Sequence, residues 1–182
     1  MEKIDLKRIA VVGTSCSGKT TFAARLSHIL QIPHIELDVL HWGPDWTIRD
    51  DFKKNVLQQI EQGCWIVDGN YANVREEIFS KADSVFWLNY PFALVFSRAL
   101  RRTVPRVFSG ETIYAGNRET FRITFFSKDS ILWWVIKTHK KRIKEYSALF
   151  ASDKYPNLKV FELRQPKQAE NYLNLIKEKH EI

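Results

Sequence analysis

Eight residues near the start of the chain constrain its fold more than any others: Gly13-Thr14-Ser15-Cys16-Ser17-Gly18-Lys19-Thr20 matches G-x-x-x-x-G-K-[ST] at every fixed position. An apolar run over residues 9–12 precedes it. A stretch over 19–30, with apolar Phe22, Leu26, Ile29 and Leu30 at helical spacing, follows it. Strand, glycine loop and helix in that order make a phosphate cradle. Glycines let the backbone curl until successive N–H groups face inward, and the helix that starts at once adds the positive end of its dipole. Lys19 is then the side chain that reaches the outer phosphates of a nucleoside triphosphate, and Thr20 the hydroxyl that ligates Mg2+. The nucleotide-binding set is Gly13, Thr14, Ser15, Cys16, Ser17, Gly18, Lys19, Thr20 and the neighbouring Thr21. The cofactors it implies are ATP and Mg2+.

Strand and helix signals alternate through the rest of the chain, which predicts an α/β fold on a mostly parallel sheet. Further strands are expected over 34–37, 65–67, 84–88 and 158–163, and further helices over 51–62, 74–81, 129–150 and 166–179. A loop is expected over 40–51, where Gly43-Pro44 punctuates the pattern. Pro91 opens a helix that carries Arg98, Arg101 and Arg102 and is expected to break near Pro105. The irregular residues 104–127, with Gly110, Gly116 and several arginines, read as a lid excursion from one domain spanning 1–182.

Absences narrow the chemistry. A hydrolytic motor places a carboxylate beside the Asp of its apolar strand to activate water, whereas Asp68 is followed by Gly69 and Asn70. The nearest match to a guanine-reading N-K-x-D is Ser80-Lys81-Ala82-Asp83, which precedes a strand and reads as a turn. Asp38, at the end of the second strand, is a candidate to hold an acceptor hydroxyl, to act as general base or to orient a metal-bound water; capping the following turn is the alternative. Asp68 is either close to the metal's water shell or part of an acceptor pocket. Thr20, Asp38 and Asp68 therefore form the candidate metal set.

Arg98 and Arg102 lie one helical turn apart, and Arg106, Arg118 and Arg122 fall in the excursion, a distribution suited to spreading positive charge around a transferring phosphoryl group. Lys19, Asp38, Arg102 and Arg118 are the candidate catalytic residues. Trp42, Trp46, Asn70 and Tyr71 come from the loops after the second and third strands, where an acceptor would sit, though packing is the commoner fate of Trp. Trp42, Asn70, Tyr71, Arg98 and Asn117 form the candidate acceptor set. His34 and His41 lack metal-ligand spacing.

The formal charge of +7 is unevenly placed: residues 98–144 carry 12 Lys/Arg against 3 Asp/Glu. That segment reads either as a clamp for the phosphates of a small ligand or as a nucleic-acid face on an ATP-switched regulator. The two cysteines, Cys16 and Cys64, have no zinc or C-x-x-C spacing, and no apolar run reaches the length of a signal core or a membrane span. These features predict a cytoplasmic location. Nothing in the residues fixes an oligomeric state.

Taken together, the chain resembles the P-loop kinases grouped with adenylate kinases, and most closely the DNA topology modulation (FlaR-type) proteins. The resemblance rests on Gly13 to Thr20, on His34-Ile35-Glu36-Leu37-Asp38 leading to His41-Trp42, and on Val67-Asp68-Gly69-Asn70-Tyr71. Arg101-Arg102, Gly116-Asn117-Arg118-Glu119 and Asp129-Ser130-Ile131-Leu132-Trp133 extend it over nearly the whole length. It implies a three-layer P-loop NTPase fold, a five-stranded parallel sheet of order 2-3-1-4-5 with helices on both faces and a lid. It implies transfer of the γ-phosphoryl group of ATP, with Mg2+, to a nucleotide, nucleoside or other small acceptor. It further implies a nucleotide base near Arg164-Gln165-Pro166, Asn117 and Arg118 as phosphate-facing lid residues, and Asp38 and Tyr71 in the acceptor pocket. Adenylate kinases carry Gly-Phe-Pro-Arg after their third strand, where this chain has Gly69-Asn70-Tyr71, which puts AMP as acceptor in question.

Overall fold

The computed structural model describes residues 6–61, 63–109, 114–117 and 130–180. In chain order the elements are β1 (Arg8–Gly13), α1 (Lys19–Leu30), β2 (His34–Glu36), α2 (Leu37–His41), α3 (Phe52–Ile60), β3 (Trp65–Asp68), α4 (Ala72–Lys81), β4 (Ser84–Leu88), α5 (Phe92–Ser109), α6 (Ile131–Phe150), β5 (Lys159–Leu163) and α7 (Pro166–His180). Single 3-10 turns occupy Pro44–Trp46 and Tyr114–Gly116. The strands form one parallel sheet in the order β2-β3-β1-β4-β5, the order that the family resemblance implies.

The three central strands are buried on both faces, so they read as unbroken apolar runs with no polar alternation. Successive residues still point to opposite sides. Ile9 and Val11 of β1 pack with Phe22 and Leu26 of α1, Val95 and Ala99 of α5 and Leu173 of α7. Ala10 and Val12 pack on the other side with Phe52 and Val56 of α3, Val74 and Ile78 of α4 and Tyr146 of α6. Helices therefore cover both faces. No helix among the described residues is long and apolar enough to cross a membrane.

Two local expectations are corrected. The second strand pairs with β3 at only three positions and gives way at Leu37 to α2, so Asp38 lies in the first turn of a short helix and not at a strand end. Leu37 is nearly inaccessible and anchors that turn, while Trp42 N–H donates to the Asp38 carbonyl and closes it. Part of the expected loop over 40–51 is thus α2 and the 3-10 turn. The helix after Pro91 also runs through Pro105 to Ser109. Proline removes one N–H and frees the carbonyl four residues back; Arg101 and Pro105 are both exposed, so that carbonyl meets water while buried Val95, Ala99 and Thr103 hold the opposite face.

Because all five strands are parallel, their carboxyl ends gather on one edge of the sheet, where open α/β folds bind ligands. Gly13, Asp68 and Leu88 come together there in adjacent strands.

Candidate functional site

The glycine loop is shaped by steric requirements at both ends. Gly13 has φ +147°, and a Cβ at this position would stand 2.6 Å from the Leu88 carbonyl oxygen. Gly18 adopts the left-handed region at φ +96° and serves as N-cap of α1. Between them the chain folds back, with Ser17 N–H donating to the Thr14 carbonyl at 3.1 Å. No side chain caps the start of α1 and no acidic residue lies in its first turn, which keeps its leading N–H groups suited to an anion.

Lys19 reaches back over this loop, its Nζ donating to the Thr14 carbonyl at 3.3 Å. Burial lowers its pKa; nearby Asp68 and Asp38 oppose the shift, and Arg142 adds to it. The ammonium, Asp68, Asp38 and Arg142 therefore share one electrostatic neighbourhood. Thr20 Oγ1 donates to Asp68 Oδ2 at 2.7 Å, and His34 Nε2 meets the other carboxylate oxygen at 2.9 Å. A hydroxyl and a buried carboxylate are the hard oxygen donors that Mg2+ takes from a protein, the rest coming from phosphate and water. Among the described residues no cluster of three His, Cys, Asp or Glu forms an all-protein metal cage. Thr20 and Asp68 thus fit a magnesium ion whose remaining ligands come from outside the protein.

Asp38 faces the same edge from α2, and the Tyr71 hydroxyl donates to its Oδ1 at 2.6 Å. An aromatic wall continues from this pair. The His41 ring lies 4.3 Å from that of Tyr71 at a tilt of 41°, Phe52 lies 4.8 Å from His41, Trp42 sits edge-on to His41 at 4.6 Å, and Trp46 follows Trp42 at 5.5 Å. His41 is buried with its Nδ1 unpartnered, and that burial lowers its pKa against the pull of Asp38.

The remaining sequence candidates make contacts of their own. The Asn70 side chain bonds to β1 and α6: its Nδ2 donates to the Gly13 carbonyl at 2.5 Å, and its Oδ1 accepts from Gly13 N–H at 3.3 Å and from the Tyr146 hydroxyl at 2.9 Å. It is a clamp on the end of β1. Asn117 spends its amide on backbone, donating to the Gly43 carbonyl at 2.9 Å and accepting from Trp46 N–H at 3.0 Å, which ties residues 114–117 to the loop after α2. Arg98 lies against the glycine loop, its Nη1 donating to the Ser17 carbonyl at 2.7 Å and its guanidinium over the Tyr90 ring. Arg102 is exposed one turn further along α5, and Thr21 is exposed on α1. Arg164 is exposed and pairs with Glu162. Arg118, with Arg122, lies outside the described residues.

The structure thus brings together Lys19, Thr20, Asp68, Asp38, Tyr71 and the Trp42 wall. It adds His34, Arg142 and Tyr146, which sequence reasoning had not selected. Arg142 left a readable signal: it falls between His139 and Tyr146, both buried, on the inward face of α6, where a charge needs a reason. Its Nη1 donates to the Asn70 carbonyl at 3.4 Å, and its Nε is buried without a partner.

The class defined by this fold and loop is a three-layer α/β protein with a phosphate-binding glycine loop after its first strand. No protein-family model matches the sequence, and no curated protein does. Solved structures do. A shikimate kinase from Acinetobacter baumannii in complex with shikimate superposes with a TM-score of 0.58 at 16% identity, covering 97% of this chain and 96% of the other. A gluconokinase from Sinorhizobium meliloti gives 0.52 at 16% identity, with 97% of each chain covered. A shikimate kinase from Bacteroides thetaiotaomicron gives 0.51 at 18%, covering 97% and 99%. At such identities the likeness establishes the shared fold.

Proposed function

We propose that this chain is an ATP- and Mg2+-dependent kinase that phosphorylates a hydroxyl of a small molecule. The observation that carries the reading is the convergence of Lys19, Thr20 and Asp68 at the open amino end of α1, with the Asp38–Tyr71 pair facing the same strand ends. The similarity to small-molecule kinases, one of them bound to shikimate, supports a small acceptor. The sequence resemblance extends the proposal to an adenylate-kinase-like enzyme closest to the FlaR-type proteins, working in the cytoplasm, with 1–182 as one domain and 104–127 as its lid.

In this reading the loop amides of residues 13–20 and the Lys19 ammonium bind the β- and γ-phosphates. Mg2+, held from Thr20 and Asp68, neutralises charge on the phosphates when bound. The acceptor lies along Tyr71, His41 and Trp42. Tyr71 occupies one oxygen of Asp38 and so orients the carboxylate; the other oxygen takes the proton of the acceptor hydroxyl as its oxygen bonds to phosphorus and the β–γ bridging bond breaks. Arg98 supports the loop through Ser17, and Arg142, beside Lys19 with an unpartnered Nε, stabilises the transferring group. Arg102 and Arg118 are proposed to complete that charge from α5 and the lid, Asn117 to hold the acceptor side through the loop after α2, and Arg164 to border the base.

The test is a phosphoryl-transfer screen with MgATP over polyols, nucleosides and nucleotides. Transfer to one class, abolished in Lys19→Ala with the fold retained, is the expected outcome; an active Lys19→Ala enzyme contradicts the mechanism.

A second reading, an ATP-switched nucleic-acid-binding regulator, is favoured by one observation. Trp133, Trp134 and Lys137, Lys140, Lys141 and Lys144 are all exposed on α6, a pattern suited to stacking and phosphate contact. It requires DNA affinity that falls steeply with salt; no binding at low salt removes it.

A further inference from the structure

The Asp68 carboxylate is shared between two side chains, and only one belongs to the glycine loop. Its Oδ2 accepts from Thr20. Its Oδ1 lies 2.9 Å from Nε2 of His34, the first residue of β2, and the kinase reading uses that histidine for nothing. An ionised carboxylate can only accept, so Nε2 carries the proton in this bond. Both side chains are largely sequestered, at 16% and 4% exposure, so water competes weakly for the contact. Nor does β2 need this bond to dock, because it pairs with β3 at three backbone positions and Ile66 N–H donates to the Pro33 carbonyl.

We infer that His34 is a positioning residue for the magnesium side of the site: it fixes the rotation of Asp68 so that one oxygen is presented to Thr20 and to the metal's water shell. The inference rests on the proposed roles of Thr20 and Asp68. A carboxylate held by one partner alone turns about its Cβ–Cγ bond and offers either oxygen. Held on both sides, it offers one oxygen in one direction, the kind of outer support that tunes metal sites. The chemistry at the phosphates is untouched by His34, so its removal weakens binding of the metal complex while binding of metal-free nucleotide is preserved.

Calorimetry on the full chain separates these quantities. ATP is titrated in EDTA and again with excess Mg2+ into the wild type, His34→Ala, His34→Asn and His34→Gln, with urea denaturation reporting the fold of each. In EDTA all four are expected to bind alike. With Mg2+, His34→Ala and the short His34→Asn lose about tenfold in affinity, the scale of outer-shell losses at metal sites. His34→Gln, whose side-chain amide spans a similar reach, recovers most of it and carries the test should the Ala variant not fold. Equal losses with and without metal, no loss at all, or a Gln variant as weak as Asn overturns the assignment while leaving the kinase reading intact. A wild type that binds no MgATP overturns the kinase reading and takes this inference with it.

Discussion

The Asn70 clamp offers a quantitative test of how the glycine loop is held. Replacing Asn70 by Ala removes three hydrogen bonds: two short ones, to the Gly13 carbonyl at 2.5 Å and from the Tyr146 hydroxyl at 2.9 Å, and a longer one from Gly13 N–H at 3.3 Å. The two short bonds contribute about 1 kcal/mol each, and the deeply buried Tyr146 hydroxyl is left without its acceptor at a cost of about 1–3 kcal/mol more. With partial relaxation the sum is a loss of about 2–4 kcal/mol, which moves a urea midpoint down by about 1–2 M. Tyr146→Phe removes one bond, with its donor, and should cost about 1 kcal/mol. Once Asn70 is gone, that hydroxyl keeps only the neighbouring Arg142 side chain, so Tyr146→Phe in the Asn70→Ala background should cost clearly less than in the wild type. Urea denaturation of the four proteins closes the cycle. Additive losses, or an Asn70→Ala variant within about 0.5 kcal/mol of wild type, would refute the clamp and return Asn70 to the acceptor pocket.

Gly13→Ala puts a methyl group 2.6 Å from the Leu88 carbonyl at a φ that L-residues avoid, so the loop must shift; MgATP affinity and the urea midpoint should fall together. Leu26→Ala, in the core between α1 and the sheet, should cost about 3 kcal/mol by urea denaturation with nucleotide affinity retained. His41 supplies a pH dependence. Burial holds its folded pKa below the ordinary 6.5, so the unfolded chain takes up the proton first as pH falls, and stability is lost from about pH 6.5 downward to the folded value. His41→Phe should flatten the decline of the unfolding midpoint between about pH 7.5 and about pH 5.5; an unchanged slope assigns that decline to other groups.

The glycine loop, the strands and the carboxylates at the strand ends were legible because each leaves a local signature: fixed glycines, apolar runs, and Asp where the runs stop; the order of the strands came from the family resemblance, since apolar runs mark strands without ordering them. Asp38 and Asp68 were selected on that ground, and both lie in the electrostatic neighbourhood of Lys19. The extent of α2 was not legible, because its one buried pair, Leu37 and His41, spans a single turn, too short for a helical period to show. The break expected at Pro105 did not occur, because the freed carbonyl lies on the wet side of α5. Side-chain partners were the least visible. Asn70 and Asn117 stand in the loops where an acceptor belongs, and both turn to backbone carbonyls whose position depends on the folded chain. His34 and Arg142 reach the site from β2 and α6, far from the motif in sequence, so only the packed sheet reveals their partners.

The central claim is that this loop binds the triphosphate of a magnesium-complexed nucleotide. Isothermal titration of MgATP into the wild type and Lys19→Ala, with urea denaturation confirming that both are folded, tests it directly. The expected result is saturable binding at one site in the wild type and none in the variant. Absence of heat in the wild type, with no displacement by MgGTP, or undiminished binding in Lys19→Ala, would contradict it.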